Sequence, residues 1–188
     1  MRRKNLKKDN KIFCVANEPL AVKTDELSNN NFMRENFHRA ILTELKICNS
    51  EFHTCDFRAA QMIGASVSFS AFNNCNLAGL EGQYLFFENN FFKKCIFRGG
   101  NITYSVIRET EFKECRFEMV DLRMADISTV KFIDCSFQEI VYSKSTSLPK
   151  GIHLDSNWIE KDDFDDDYHD LVSKSMEDKE YSRHYFGE

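Results

Sequence analysis

From Leu27 to Tyr142 every fifth residue is apolar, and the phase never slips. Twenty-three of the 24 positions in this register are apolar, Gly82 being the one gap, and 12 of the 18 Phe residues fall in it. A helix repeats its apolar face every 3.6 residues and a strand every 2, so a period of five fits neither. It predicts a repeat architecture, in which one unit cannot bury its own apolar residue but a stack of units can.

Two further registers refine this picture. The residue two before each apolar centre, from Ala40 to Ile140, is Ala, Ser, Cys, Thr, Gly or Val in 16 of 21 cases. A large and a small side chain therefore point inward in each unit, as a narrow, closely packed interior requires. On a longer scale Cys55, Cys75, Cys95, Cys115 and Cys135 recur every 20 residues, as do Phe32, Phe52, Phe72, Phe92, Phe112 and Phe132. One coil is thus four units, and like residues stack on like. Two neighbouring sides of the resulting square are rich in Phe, through Phe32 and through Phe37. The others carry aliphatics, with Met62, Ile102 and Leu122 on one and Ile47, Val67, Ile107 and Ile127 on the next. At Gly82 the missing side chain predicts a local bulge filled by Leu80 or Leu85, both oversized for their small-residue positions.

The segments Cys55-Asp56-Phe57-Arg58-Ala59, Cys75-Asn76-Leu77-Ala78-Gly79, Val120-Asp121-Leu122-Arg123-Met124 and Ala125-Asp126-Ile127-Ser128-Thr129 resemble the pentapeptide-repeat family, whose unit is a small residue, Asp or Asn, Leu or Phe, then two variable residues. The resemblance covers residues 27 to 146. It implies an all-β solenoid, a right-handed quadrilateral parallel β-helix of about six coils, roughly 29 Å long at the spacing of strands in a sheet. Residues 1–26 then form a basic N-terminal segment and cap, and residues 147–188 a C-terminal cap, acidic helix and tail.

The flanks differ from the repeat in charge. Residues 1 to 26 carry 7 basic and 4 acidic side chains, residues 27 to 146 carry 13 and 14, and residues 147 to 188 carry 5 and 12. The acidity of the chain, −5 in all, sits in its C-terminal part and not on the solenoid. After Tyr142 the phase fails at Ser147, and Leu148-Pro149-Lys150-Gly151 reads as a turn. Asp155 or Ser156 is placed to cap a helix, whose apolar face is Phe164, Tyr168, Leu171 and Val172. Trp158 and Ile159 suit a cover over the C-terminal open end of the stack, and these six residues are the candidate cap and dimer surface. No run of 18 apolar residues exists, so no membrane span is expected, and Met1 to Ala16 does not read as a secretory signal. Seven cysteines, five in one ladder, suit a reducing cytoplasm better than a disulfide framework.

Little in the chain points to catalysis, and no cofactor is expected. The cysteine ladder lacks a Cys-x-x-Cys or Cys/His metal spacing and reads as small buried residues. A calcium loop begun at Asp163 would place Tyr168 at its Gly position and Lys174 at its bidentate Glu, so Asp162 to Asp167 reads as an acidic helix start. No nucleophile elbow or phosphate loop is present, the five histidines share no stacked row, and an enzyme is not expected. Direct nucleic-acid binding needs a basic stripe, and none is visible.

The outward positions carry more information. Ile63, Phe69, Tyr84, Phe86, Tyr104, Val106 and Met124 fall on two adjacent sides of the middle coils, and Phe91 and Ile96 continue the group around a corner. A patch of that extent predicts a buried contact with a partner, a second copy or the C-terminal segment. The resemblance points the same way, toward a binding protein. The Cys- and Phe-rich units look like the quinolone-resistance and microcin-immunity branch of the family, which binds DNA gyrase or topoisomerase IV by mimicking DNA and forms dimers through a C-terminal helix. That reading requires acids gathered in one continuous strip along the rod. The alternative is an interaction scaffold, a secreted bacterial effector among the forms it would take, that docks its partner through the apolar patch.

Overall fold

The computed structural model describes residues 26–163 together with the short antiparallel pair Cys14–Val15 and Glu18–Pro19. Through the coils, strands of three residues alternate with turns of two, and successive strands on one side pair in parallel at an offset of 20 residues. Phe52 lies against Phe72, Phe72 against Phe92 and Phe92 against Phe112. The first side, through Leu27, holds Glu26–Ser28, Lys46–Cys48, Ser66–Ser68, Phe86–Glu88 and Val106–Arg108. The second, through Phe32, is a six-stranded sheet from Asn31–Met33 to Lys131–Ile133. The third, through Phe37, has three regular strands, Ile96–Arg98, Arg116–Glu118 and Ser136–Gln138, continued back by single bridges through Asn76, Asp56 and Asn36. The fourth, through Leu42, is bridges alone as far as Asp121 and Val141.

The interior is the five-residue register made solid. On the second side the rings of Phe52, Phe72 and Phe92 stack with centroids 4.6 Å apart, and Phe57 meets Phe52 and Phe72 edge-on across the corner. Offset stacks and edge-to-face contacts are the two arrangements a ring quadrupole favours. The small register lies between these columns and also joins the coils. Cys75 Sγ donates to the carbonyl of Phe52, Cys95 Sγ to Phe72, and Ser105 Oγ to Gly82, each reaching back 23 residues. Hydrogen bonding with neighbouring thiols and burial hold Cys55 and Cys95 above the ordinary thiol range, while hydrogen bonds from the thiols on either side draw Cys75 and Cys115 below it.

Closing a square every four units bends the backbone sharply at each corner. Among the described residues nineteen non-glycine ones have φ between 44° and 58°, nearly all two residues after an apolar centre. On the third and fourth sides these corners are β-turns, closed by Ala40 N–H to Phe37 O at 2.9 Å and Ala65 N–H to Met62 O at 3.0 Å. A left-handed third residue in such a turn favours Gly or Asn, and Gly64 and Gly79 supply it, while Asn49, Asn74 and Asn89 take the equivalent left-handed corners after regular strands.

The ladder runs through Gly82 without the bulge expected there. Gly82 N–H donates to Asn101 O at 2.8 Å, and Glu81 bridges both Gln61 and Asn101. The volume is filled by Leu85, one of the two residues expected to fill it, whose Cδ1 lies 2.4 Å from the place a Cβ at residue 82 would take. Gly82→Ala is therefore expected to destabilise the fold by about 1–3 kcal/mol through overpacking. Adding Leu85→Ala should recover part of that loss, and urea melts of the single and double variants decide it. Simple additivity of the two losses would sink the packing account.

The solenoid is longer than the six coils expected. Ile127 N–H donates to Ser147 O at 2.9 Å and Asp126 bridges Ser147, which opens a seventh turn on the first side. The phase fails at Ser147 because the Ser143 to Thr146 turn holds one extra residue, so 126 pairs with 147 and not 146. The chain then cuts across the open end, where Leu148 and Ile152 pack on the core, and returns as Trp158–Glu160 beside Ile140–Tyr142. The helix start expected at Asp155 or Ser156 is corrected to a turn and strand. Asp155 Oδ1 takes the Asn157 N–H at 2.9 Å, and its carbonyl takes the Trp158 N–H at 3.0 Å, which reverses the chain into the strand. Phe164, Tyr168, Leu171 and Val172 lie outside the described residues, as does the basic segment before Cys14.

Candidate partner-binding surface

The corner between the fourth and first sides runs Glu44, Gly64, Tyr84, Tyr104, Met124 along the rod. Tyr84 is 60% exposed and Tyr104 37%, yet their rings stack with centroids 5.0 Å apart and planes 18° from parallel. Both residues, and Met124, have φ of 58°. A bulky residue in the left-handed region costs backbone energy that Gly or Asn avoids, and here no core packing offsets it. The left-handed backbone is common to the corners of this fold, and what sets this pair apart is two stacked aromatic rings held toward solvent. Phe86 and Val106, paired across adjacent strands, flank this ridge as half-buried residues on the first side. Ile63 flanks it on the fourth side.

The remaining patch residues are not part of the ridge. Phe69, 58% exposed, stands on the opposite edge of the first side, at the corner with the second. Phe91 lines the same open groove as Phe69. Ile96 faces out from the third side, in register with Arg116. The nine residues that sequence position grouped together thus form two surfaces and one isolated side chain. At the C-terminal end Trp158 is buried, with its ring 5.1 Å from Phe137 and 6.2 Å from Tyr142, while Ile159 stays exposed.

Sequence position did not reveal one polar feature of the fourth side. Asp121 and Arg123 point away from the core, yet they are 1% and 3% exposed at their side chains. Arg123 Nε and Nη2 reach both oxygens of Asp121, with Nη2 to Oδ2 at 2.8 Å, and Nη1 donates to Asp162 O at 3.1 Å. The segment after Trp158–Glu160 therefore returns over this side: Lys161 N–H bonds Tyr142 O, and Ser145 Oγ donates to Asp163 Oδ2 at 2.7 Å. The Asp56–Arg58 pair has the same geometry at 2.8 Å but lies nearer solvent. Burial alone would raise the Asp56 carboxyl, and the hydrogen bonds from Arg58 override it and hold that carboxyl below the usual range.

Charge on the rod is mixed. Along the outward ladders of the described residues, acids follow one another in at most two successive coils, at Glu114 and Asp134. Arg98 with Glu118, Lys94 with Glu114 and Arg108 with Asp126 interleave the signs. Among the described residues no group of three or more His, Cys, Asp or Glu side chains is placed to share a metal ion. None of the described residues forms a helix long and apolar enough to cross a membrane.

No family model matches the chain, and no curated protein does. Among solved structures it is similar to trypsin-treated QnrB1, a plasmid-mediated fluoroquinolone resistance protein, at 18% identity over 64% of this chain and 66% of that one, with a TM-score of 0.31. It is similar to a pentapeptide repeat protein of the cyanobacterium Cyanothece 51142, at 14% identity over 65% and 87% with a TM-score of 0.31. A third is a pentapeptide repeat protein of the Arabidopsis thaliana thylakoid lumen, at 12% identity over 68% and 70%, also at 0.31. This chain spans just under two thirds of the QnrB1 structure's length. What decides the assignment is internal to the chain, namely an unbroken five-residue register whose units close into four-sided coils with Phe on Phe and Cys on Cys. On that basis the chain is a four-sided parallel β-solenoid built of five-residue repeats.

Proposed function

We propose that the chain is a binding protein, not an enzyme, and that it docks a protein partner through the Tyr84–Tyr104 ridge with Phe86, Val106, Ile63 and Met124 around it. The observation that carries this is the pair of stacked, exposed tyrosines held in left-handed backbone. Tyrosine brings large rigid contact area with a polar tip, which suits it to the centre of an interface. The fluoroquinolone-resistance name of QnrB1 supplies the first partner to test, DNA gyrase or topoisomerase IV, protected from quinolones or toxins. DNA mimicry as the means of that protection calls for a continuous acidic strip, and the interleaved charges of the described ladders favour the tyrosine ridge over it. A homodimer through the C-terminal segment, with Trp158 and Ile159 at its base, is compatible with a free ridge on the middle coils.

Tyr84→Asn with Tyr104→Asn separates the two roles of these residues. Asn is at ease in left-handed corners, so the gain in backbone energy offsets the lost ring stacking, and stability is expected to stay within about 1 kcal/mol of the parent. The same double variant should lose partner binding by tenfold or more. The assay is gyrase and topoisomerase IV supercoiling with and without a quinolone, run beside direct binding of both enzymes to parent and variant. Binding that survives the double substitution would remove the ridge from the interface. Absence of binding by the folded parent to either enzyme would dismiss topoisomerases as the partner.

A further inference from the structure

A second surface lies on the far edge of the first side, and it does not depend on the tyrosine ridge. The corner column there reads Asn29, Asn49, Phe69, Asn89, Glu109, all with positive φ. Asn is what the left-handed backbone favours, and Phe69 breaks the run with φ of 48° and its ring in solvent. Beside it on the second side the outward ladder runs Glu51, Ala71, Phe91, Glu111 in register. Ala71, the small member, leaves a notch, and an open groove forms there between Phe69 and Phe91 with Glu51, Glu109 and Glu111 on its rim.

The charges of this groove are unbalanced. No basic side chain lines it. Among the described residues no salt bridge engages Glu109 or Glu111, while Glu51 Oε2 lies 3.1 Å from His53 Nε2. Arg108, the nearest arginine in sequence, is committed to Asp126 at 3.8 Å. Lys131 is the register partner of Glu111 but forms no ion pair with it among the described residues. Two aromatic walls with carboxylates on the rim match one kind of side chain. A guanidinium stacks its plane on a ring and donates in parallel to a carboxylate, which a compact ammonium does less well.

We propose that this groove receives an arginine of an extended basic segment of a protein partner, with Phe69 and Phe91 as the stacking walls and Glu109 and Glu111 as the acceptors. Ala71 sets the notch, since any larger side chain there would fill it.

The test uses the full chain and a short labelled peptide of alternating glycine and arginine, followed by fluorescence anisotropy. Phe69→Asn matches its column and keeps the fold, and Glu109→Gln with Glu111→Gln removes charge at exposed and half-buried positions. Each variant is expected to weaken the peptide about tenfold, and citrulline in place of arginine should do the same to the parent. Equal binding by parent and both variants would overturn the proposal, because attraction to the acidic residues after 147 would then explain it. Tighter peptide binding on replacing Arg2, Arg3, Lys4, Lys7 and Lys8 with Gln, seen in the parent but not in Phe69→Asn, would also overturn it, by showing that the chain's own N-terminal segment competes for the groove.

Discussion

Phe72→Ala should cost about 3–5 kcal/mol, the range for emptying a fully buried aromatic site. Phe72 is stacked 4.6 Å from both Phe52 and Phe92 and meets Phe57 at the corner, so truncation removes ring contacts on three sides. In a solenoid each coil is stabilised by its neighbours, so the loss also weakens the coupling between the coils on either side. Phe132→Ala is the internal control. Phe132 lies in the same column but is only partly buried, and its stack on Phe112 is looser at 5.5 Å. It should lose markedly less. Urea unfolding followed by far-ultraviolet circular dichroism separates the two. Equal losses would mean that the column does not act as a continuous stack.

Arg123→Leu is the second large effect. It strands Asp121 as a charge at a nearly solvent-free position, and breaking a buried pair from one side costs about 3–5 kcal/mol. Replacing both Asp121 and Arg123 with Leu should recover most of that, because the pair's own attraction is largely spent on its desolvation. Arg58→Leu, which breaks the same trio geometry nearer solvent, should cost no more than about 1 kcal/mol. The three melts together test the burial and not merely the presence of the pair. A loss at Arg58 as large as that at Arg123 would refute the role given to burial.

Most of the architecture was legible before any coordinates. The five-residue register predicts the inward residues because only one geometry buries a side chain at every fifth position. Cys and Phe recurring at 20 predict the coil, because parallel strands place residue on identical residue. Two local features were misread for opposite reasons. At Gly82 the filling by Leu85 was legible but the bulge was not there, because Leu85, three residues on, reaches the vacant volume without displacing the backbone and leaves the ladder intact. At Ser147 a phase break looked like the end of the solenoid, although a single extra residue in a turn shifts the register without ending the coil. The corner positions two residues after the apolar centre are mostly Gly, Asn or charged, and the exposed aromatics Phe69, Tyr84 and Tyr104 stand out among them.

The candidate surfaces were legible only as composition. Counting outward apolar residues yields one patch of nine, whereas the turn of the backbone at each corner deals them to different edges of the rod. Side and level follow from residue number, but the direction a corner side chain takes depends on its φ, and pattern alone does not state it. The two Asp-x-Arg trios make the division clearest. Asp56-Phe57-Arg58 and Asp121-Leu122-Arg123 have the same local chemistry, and the chain itself determined that each would close an ion pair across an inward residue. Only the tertiary structure decided that one pair faces solvent while the other is covered, because burial depends on a segment some forty residues away, where the carbonyl of Asp162 meets Arg123.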